Sequence, residues 1–511
     1  MFERIDRFLN KITMYRLVLY SLIALILFTI PLSLFSKVPF TLLEFVMSAV
    51  PILSVSYFTN RLFAWAFETP VNSESVYISA SILILLVTPA TSRDPMAYVW
   101  FICWIAALTM ASKFLFAIGK KHPFNPVALA SVITPFTLGF ALSWWVGNAY
   151  MAPLVAVAGF LIARKIKRTD LVASFLIMVF LVTIVSSVVS KGSFPEFGVF
   201  FQTLFQSPVL FLAAFMLTEP LTTPPSKWMR VVYGSIVGIF FFPNIHIGSV
   251  YLTPELALVL GNLFSYLVSP KERVVLTLQK KQLIAKDTYE FSFASDKPLP
   301  FLPGQYLEFT VGHEHPDSRG NRRYFTIASS PTEPDFKLGV KFYPNPSTFK
   351  NKLQYLSVGE KILAGQCAGE FVLPKKNEQK VVFIAGGIGI TPFRSMIQYC
   401  LDTNDARDII QLYSNRTVED IAYKDVFDEA SKTLGMKTLY FVTDPGQVAS
   451  ATDMRVGFID RAAIVKEIPD YKERMFYLSG PHSMVTLFQK TLAEMGVPKK
   501  HIKCDFFPGF A

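Results

Sequence analysis

Cysteine and histidine are both scarce in this chain, and the positions of the few that occur exclude several kinds of chemistry. The four cysteines are Cys103, Cys367, Cys400 and Cys504. No two are spaced C-x-x-C and no four form a cluster pattern, so neither a structural zinc nor an iron–sulfur site is expected, and no metal ligand is assigned. They read as unpaired thiols in a reducing compartment. The first 270 residues hold only His122 and His246, both near expected helix ends. Two stacked bis-histidine haems would need four inward-facing histidines, so that arrangement is excluded. A cleavable leader is not expected either. The first apolar run, from about Leu17 to Phe35, has no small-residue cleavage pattern and reads as a retained helix. Finally, the net charge of +11 is not laid out as a basic stripe with interleaved aromatics, so nucleic acid is not an expected partner. Many of the basic residues instead flank apolar runs, where Lys and Arg set topology.

Apolar sequence is what the chain has in excess. Hydrophobic residues make up 52%, against roughly 45–50% in soluble domains, and the surplus is confined to the stretch before about residue 270. Length alone suggests about three domains; the composition step marks the main boundary near 270, and the strand pattern described below sets the other, giving 1–270, 271–375 and 376–511. A helix needs ~20 apolar residues to cross a ~30 Å hydrocarbon core. Ten spans are expected at approximately 17–36, 39–60, 74–92, 95–117, 126–148, 151–164, 170–190, 196–217, 228–244 and 247–268. With the N-terminus inside, alternate loops carry Arg61, Lys120 and Lys121, then Arg164, Lys165, Lys167 and Arg168, then Lys227 and Arg230. The opposite loops hold little beyond Lys37, Arg93 and Lys191. This positive-inside pattern predicts a lipid-embedded first half in a bacterial-type inner membrane, with both termini cytoplasmic. Glu44, Lys113 and Glu255 lie within or at the edges of spans, where ionisable groups are costly and are functional candidates; Lys113 could instead snorkel.

Polar, proline-flanked segments interrupt the apolar half. These are Lys120-Lys121-His122-Pro123-Phe124-Asn125-Pro126, Met216-Leu217-Thr218-Glu219-Pro220-Leu221-Thr222-Thr223-Pro224, Val87-Thr88-Pro89, and Pro254-Glu255 with Asn262. Over roughly residues 15–270 the set resembles the RnfD/NqrB family of membrane subunits from ion-pumping, ferredoxin- or NADH-oxidising complexes. The resemblance implies ten helices holding a flavin, with Asn125, Thr218 and Thr222 among its contacts. That family usually links FMN to the Thr of an S-G-A-T type sequence, and this half has none: Pro89-Ala90-Thr91 lacks the serine, and Ser450-Ala451-Thr452 lies outside it. A non-covalent FMN or riboflavin is therefore the expected second flavin. Read individually, the same Thr and Asn residues could simply cap helices in lipid.

Beyond Arg273 short alternating segments begin: Val274–Leu278, Tyr289–Phe293 and Tyr306–Thr310, divided by turns such as Leu302-Pro303-Gly304-Gln305. They predict a small antiparallel β-barrel running to about Pro374. From Lys380 an apolar strand, a glycine loop and a helix from Pro392 begin a parallel α/β unit, with further strands near Asp408–Tyr413, Lys437–Phe441 and Met475–Leu478. Within this frame lie Arg323-Tyr324-Phe325-Thr326, Ala385-Gly386-Gly387-Ile388-Gly389-Ile390-Thr391-Pro392, Ser479-Gly480-Pro481-His482-Ser483-Met484 and the terminal Asp505-Phe506-Phe507-Pro508-Gly509-Phe510-Ala511.

In this order the motifs resemble the ferredoxin–NADP reductase superfamily, an FAD barrel followed by an NAD(P)-binding domain. The resemblance implies that Arg323 meets the FAD pyrophosphate, that Tyr324 and Lys341 belong to the cofactor contacts, and that Phe325 faces the isoalloxazine. Thr326 would hydrogen-bond near the flavin N5, and Phe510 would guard the flavin. Ser347 and Thr348 would serve the phosphates. Gly386, Gly387, Gly389, Thr391 and Pro392 would form the dinucleotide loop, with Gly480, Pro481 and Met484 beside it. Arg416, after the second strand, lies where the adenosine ribose is read. Phe325 could equally fill the core.

The expectation is therefore a membrane-bound, FAD-dependent NAD(P)H oxidoreductase with Thr326, Phe325 and Phe510 nearest the chemistry. Electrons from NADH or NADPH would pass through FAD to the second flavin and on to quinone or an extracytoplasmic acceptor. Oligomerisation is left open. A haem-type transmembrane reductase and a transporter with a nucleotide-sensing domain are the alternatives.

Overall fold

The computed structural model describes residues 5, 8–9, 12–67, 73–89, 94–118, 122–242, 246–247, 250–269, 274–313, 321–444 and 453–507. The chain divides into two compact units, Met1–Glu272 and Arg273–Ala511.

The first unit is helical. In chain order it contains α1 (Met14–Leu34), α2 (Leu42–Ala66), α3 (Ser73–Leu86), α4 (Pro95–Leu115), α5 (Pro126–Leu138), α6 (Ala152–Lys165), α7 (Thr169–Lys191) and α8 (Phe197–Phe205). There follow α9 (Val209–Phe211), continued by a π-helical turn over Leu212–Met216, then α10 (Lys227–Ile239), a two-residue hairpin of β1 (His246–Ile247) and β2 (Val250–Tyr251), and α11 (Pro254–Val268). Helix starts follow the side chains before them. Thr41 and Glu44 close a capping box at α2, Asp94 accepts from Met96 and Ala97 at α4, and Asn125 accepts from Ala128 at α5. Glu44, a functional candidate by its position in the sequence, thus has a structural task.

Helix falls in each of the ten expected segments, but among the described residues only α1, α2, α4 and α7 are long and apolar enough to cross a membrane, or five spans if the pair bent by 51° around residues 206–208 counts as one. At ~1.5 Å per residue, α3, α5 and α11 are ~20 Å long, well short of a ~30 Å core. A hydropathy window cannot see why. The segment expected at 126–148 stops as helix at Leu138, where Gly139 takes a left-handed cap. The chain then folds back, and the Trp144 N–H donates to Leu86 O at 3.0 Å, the Val146 N–H to Leu85 O at 3.3 Å and Trp145 Nε1 to Ile84 O at 3.0 Å. Carbonyls left over at the end of α3 thereby satisfy the irregular backbone, which an apolar surrounding requires.

The second unit begins with β3 (Val274–Ala285), β4 (Thr288–Ser295), β5 (Tyr306–Thr310), β6 (Arg322–Thr326), β7 (Phe336–Lys341), α12 (Thr348–Gln354) and β8 (Lys361–Ala368). The strands form one antiparallel sheet in the order β6-β5-β8-β3-β4-β7. Among the described residues its edge strands β6 and β7 do not pair with each other, so what the structure shows is a six-stranded antiparallel sheet. Phe291, Phe293, Leu307, Phe309, Leu338 and Phe349 fill its core.

The α/β part contains β9 (Val381–Gly386), α13 (Thr391–Thr403), β10 (Ile409–Asn415), α14 (Lys424–Thr433), β11 (Lys437–Val442), β12 (Met454–Val456), α15 (Arg461–Glu467), β13 (Met475–Pro481), α16 (His482–Glu494) and β14 (Ile502–Phe507). The strands run parallel in the order β12-β11-β10-β9-β13-β14. All six residues of β9 are buried, as a strand covered on both faces requires. Phe383 points to one core with Phe393 and Tyr477, while Val382 and Ile384 point to the other with Leu412 and Leu478.

An ionic knot ties together the amino ends of the three central strands. Arg474 donates to both carboxylate oxygens of Asp408, at 2.7 and 2.9 Å, and to Asp470 at 2.7 Å; Lys380 donates to Asp470 at 2.8 Å. The Arg474 hydrogen bond, reinforced by Lys380, outweighs burial and holds the Asp470 carboxyl down at about 2. An unfolded Asp titrates near ~3.9. A carboxyl depressed on folding stabilises the fold above that value and loses its contribution as pH falls toward the folded one. The unfolding temperature is therefore expected to drop between about pH 4 and pH 2, with a shallower drop for Asp470→Asn. Parallel thermal profiles for the two proteins would remove Asp470 from this role.

Candidate active site

In the parallel sheet the chain runs outward one way through β9, β10, β11 and β12, then returns to place β13 on the other flank of β9. The carboxyl ends of β9 and β13 are thus the switch point, the place where open α/β sheets bind ligands. The glycine loop leaves β9 there. Ala385 pairs with Ser479, a short turn spans Gly387–Ile390, and α13 opens at Thr391 with Pro392 in its first turn.

The two loops are packed closely enough to need glycine. A Cβ on Gly389 would lie 2.5 Å from Ser479 O and 2.6 Å from Gly480 Cα, and one on Gly386 would strike Met484 Sδ. Gly387 has φ +53° and open space on its Cβ side, so a ligand could approach its backbone. The Thr391 hydroxyl donates back to Ile388 O at 3.3 Å. Pro481 is exposed and Met484 half-buried, while Ser479 is fully buried and its Oγ has no hydrogen-bond partner. Arg416 is exposed just beyond β10.

The second half of the site lies on β5 and β6. Pairing puts Tyr306 opposite Thr326 and Glu308 opposite Tyr324, so these residues share one sheet face while Leu307, Phe309, Arg323 and Phe325 share the other. Phe325 is partly buried, stacked on Phe349 at 5.8 Å and edge-on to Phe309 at 5.9 Å. Tyr324 is 48% exposed, and its ring meets that of Tyr306 edge-on at 5.6 Å. Thr326 is 2% exposed and its hydroxyl has no hydrogen-bond partner. A buried hydroxyl in that condition costs about 1–3 kcal/mol.

Other expected contacts are taken up locally. Arg323 lies over the Phe349 ring at 5.3 Å and donates to Arg322 O at 2.7 Å. Ser347 caps α12 by accepting from Lys350 N, and Thr348 Oγ1 is 3.0 Å from His313 Nε2. Lys341 is bound to Asp420 at 2.6 Å; burial would raise that carboxyl, but hydrogen bonds from Lys341 and Thr417 outweigh it and leave it below the usual range. Phe510 lies outside the described residues.

In the helical unit Asn125 is a junction. Its Nδ2 donates to Glu219 Oε2 at 2.8 Å, its N–H to Asn262 Oδ1 at 2.8 Å, and Asn262 Nδ2 donates to the buried Tyr233 hydroxyl at 2.8 Å. His122 Nε2 is 3.4 Å from Glu219 Oε1. Thr218 and Thr222 flank Glu219, both buried, with their hydroxyls donating to Ala214 O at 2.8 Å and Glu219 O at 3.4 Å. Lys113 donates to Ser75 O at 3.1 Å, and Glu255 accepts from Trp144 Nε1 at 3.2 Å. Tyr233 carried no motif signal; Tyr306 did so only through its place in the turn-and-strand pattern.

A glycine loop at a switch point, set beside a sheet with a buried unpaired hydroxyl, is an arrangement that can receive a dinucleotide. Residues 383–490 match the model of the oxidoreductase NAD-binding domain, and residues 146–273 match that of the NQR2, RnfD, RnfE family. The chain is 28% identical over 228 residues to the glycine betaine monooxygenase reductase subunit of Chromohalobacter salexigens, covering 43% of this chain and 60% of that protein. It is 25% identical over 232 residues to flavohemoprotein A of Dictyostelium discoideum, covering 43% and 56%. The chain thus spans less than two thirds of the length of these relatives. Among solved structures, the flavohem-like FAD/NAD-binding domain of a nitric oxide dioxygenase from Vibrio cholerae aligns with a TM-score of 0.41 at 20% identity, covering 46% of this chain and 98% of that one. The two family matches support a chain that joins an RnfD/NQR2-type segment to an oxidoreductase NAD-binding domain.

Proposed function

We propose that this protein takes a hydride from cytoplasmic NADH or NADPH and passes the electrons, one at a time, into its membrane unit and on to quinone or an acceptor across the bilayer. FAD supplies the two-electron to one-electron conversion when bound. The observation that carries this reading is the unpaired Thr326 hydroxyl, buried on the strand that bears the flavin motif and two residues from Ala328, which hydrogen-bonds the helix of the glycine loop.

In this reading Thr326 holds the flavin near N5, and Tyr306 with Tyr324 supplies the aromatic wall that the sequence assigned to Phe325. Arg323 neutralises the pyrophosphate. Gly386, Gly387 and Gly389 admit the dinucleotide backbone, with Ser479, Gly480, Pro481 and Met484 beside the nicotinamide and Arg416 near the adenosine ribose. Thr391 and Pro392 start the helix whose N-terminus favours the phosphates. Lys341 and Ser347, held by Asp420 and by the α12 cap, act as supports. The junction of Asn125, Glu219 and Asn262 beside Thr218 and Thr222 holds the second flavin, FMN or riboflavin, without a covalent link. The loop charges favour cytoplasmic termini.

Detergent-purified protein should release FAD and a second, smaller flavin on acid precipitation and show no haem spectrum. NADH or NADPH should bleach the flavin absorbance anaerobically. FAD alone, with no other chromophore, would leave the membrane unit without a carrier and remove the transmembrane half of the proposal.

A further inference from the structure

The two halves of the soluble site are tied by a buried ionic clamp that none of the motifs predicts. Arg394, in the first turns of α13, is 5% exposed in its side chain and forks onto Glu333, with Nη2 donating to Oε1 at 2.9 Å and Nη1 to Oε2. Nη1 also donates to Ala328 O at 3.1 Å. The next residue repeats the contact, Ser395 Oγ donating to Ser329 O at 2.6 Å. From the other side, the Ser330 N–H donates to Glu333 Oε2 at 2.7 Å and Lys337 Nζ to Oε1 at 2.8 Å. Burial would raise the Glu333 carboxyl, but Arg394 and then Lys337 outweigh it and hold it below the usual range.

Two close approaches back the clamp. A Cβ on Gly339 of β7 would lie 2.8 Å from Thr391 Cγ2, and one on Gly304 would strike Phe371 O and Met396 Cε. The helix that begins at Thr391 therefore also packs tightly against β7 and against the turn before β5.

We infer that the Arg394–Glu333 fork is a positioning device for hydride transfer: it fixes the glycine loop that presents the nicotinamide against the Thr326 segment that receives the flavin. Neither side chain reaches the reacting atoms in this account. Each acts through a neighbour, Arg394 through Thr391 and Glu333 through the 327–330 backbone. A buried pair of this kind contributes little net stability compared with apolar replacements, so holding the register is the better reason for its presence. A misplacement of ~1 Å at a reacting centre can cost roughly 100-fold in rate. The inference rests on the reductase reading above.

The test compares wild type with Arg394→Lys, which keeps the charge but loses the fork, and with Glu333→Gln. Anaerobic stopped-flow with NADH and with NADPH gives the limiting rate of flavin reduction and the apparent Kd. Amide hydrogen exchange on cofactor-free protein reports residues 327–335 and 387–395. The expected result is a limiting rate lowered roughly tenfold or more, an apparent Kd changed less than about threefold, retained FAD, and faster exchange in both segments together. An unchanged limiting rate in FAD-loaded variants overturns the inference, even if exchange accelerates, because the clamp would then be structural only. If both variants lose FAD, Ser395→Ala, which removes one hydrogen bond, must show the same pattern in smaller measure or the inference falls. The exchange measurement needs no nucleotide, so it judges the clamp even if wild type fails to oxidise NAD(P)H, a failure that would sink the reductase reading instead.

Discussion

Gly389→Ala is expected to abolish NAD(P)H-driven flavin reduction in a protein that still inserts into the membrane. The new Cβ would sit 2.5 Å from Ser479 O and 2.6 Å from both Gly480 Cα and Gly480 N. All three are backbone atoms of the neighbouring loop, so no side-chain rotation relieves the contact, and the two loops must part. Overpacking of this kind costs about 1–3 kcal/mol. The functional cost is larger, since separating the loops by ~1 Å moves the dinucleotide by as much and lowers the reduction rate by roughly 100-fold or more. Gly387→Ala is the control. Its Cβ meets nothing within 4 Å, and its left-handed φ of +53° costs about 1 kcal/mol for a non-glycine residue. Stopped-flow reduction and thermal unfolding of both variants decide the matter. Equal rates for Gly389→Ala and wild type would mean that the glycine loop is not the nucleotide site.

The difference between these two glycines was not legible in the sequence, whereas the loop itself was. Strand, loop and helix are consecutive there, and an all-apolar β9 followed by Gly386, Gly387 and Gly389 is a local signal. The tight contact of Gly389 depends on Ser479, brought alongside by parallel pairing across some ninety residues of chain. The same reasoning explains Phe325. Its position in the motif is visible, but which face of β6 it occupies depends on the pairing of Tyr306 with Thr326, and that pairing sets a partly buried Phe325 against Phe309 and Phe349. Lys341 was expected among the cofactor contacts and Ser347 at the phosphates, yet Asp420 and the backbone of Lys350 already engage them. In the helical unit hydropathy located each apolar segment but not where helix stops. Gly139 and the fold-back of Trp144 onto the end of α3 cut α5 to 13 residues. The junction at Asn125 was half legible: Glu219 and Asn262 lie in the proline-flanked motifs, while Tyr233 lies in an ordinary apolar run.

Thr326→Val separates function from stability more cleanly than any other change. The two side chains have nearly the same shape, so the packing of this 2%-exposed residue is preserved. What disappears is a hydroxyl with no protein partner. Leaving such a group buried costs about 1–3 kcal/mol, so removing it should leave the unfolding temperature of cofactor-free protein unchanged or raise it. The FAD-loaded protein should respond in the opposite sense. If the hydroxyl donates to the flavin beside N5, losing it deprives the reacting centre of a hydrogen bond that orients the ring, and the limiting rate of reduction by NAD(P)H falls roughly 10- to 100-fold, or about 1.4–2.7 kcal/mol of barrier. The apparent Kd for nucleotide should stay nearly constant, because the interaction matters in the transition state rather than in binding. Thermal scans with and without FAD, combined with single-turnover reduction, test both signs at once. A Val variant that is no less stable without FAD and reduces as fast as wild type would show that Thr326 is core, and the flavin would then have to be sought from Tyr306 and Tyr324 alone.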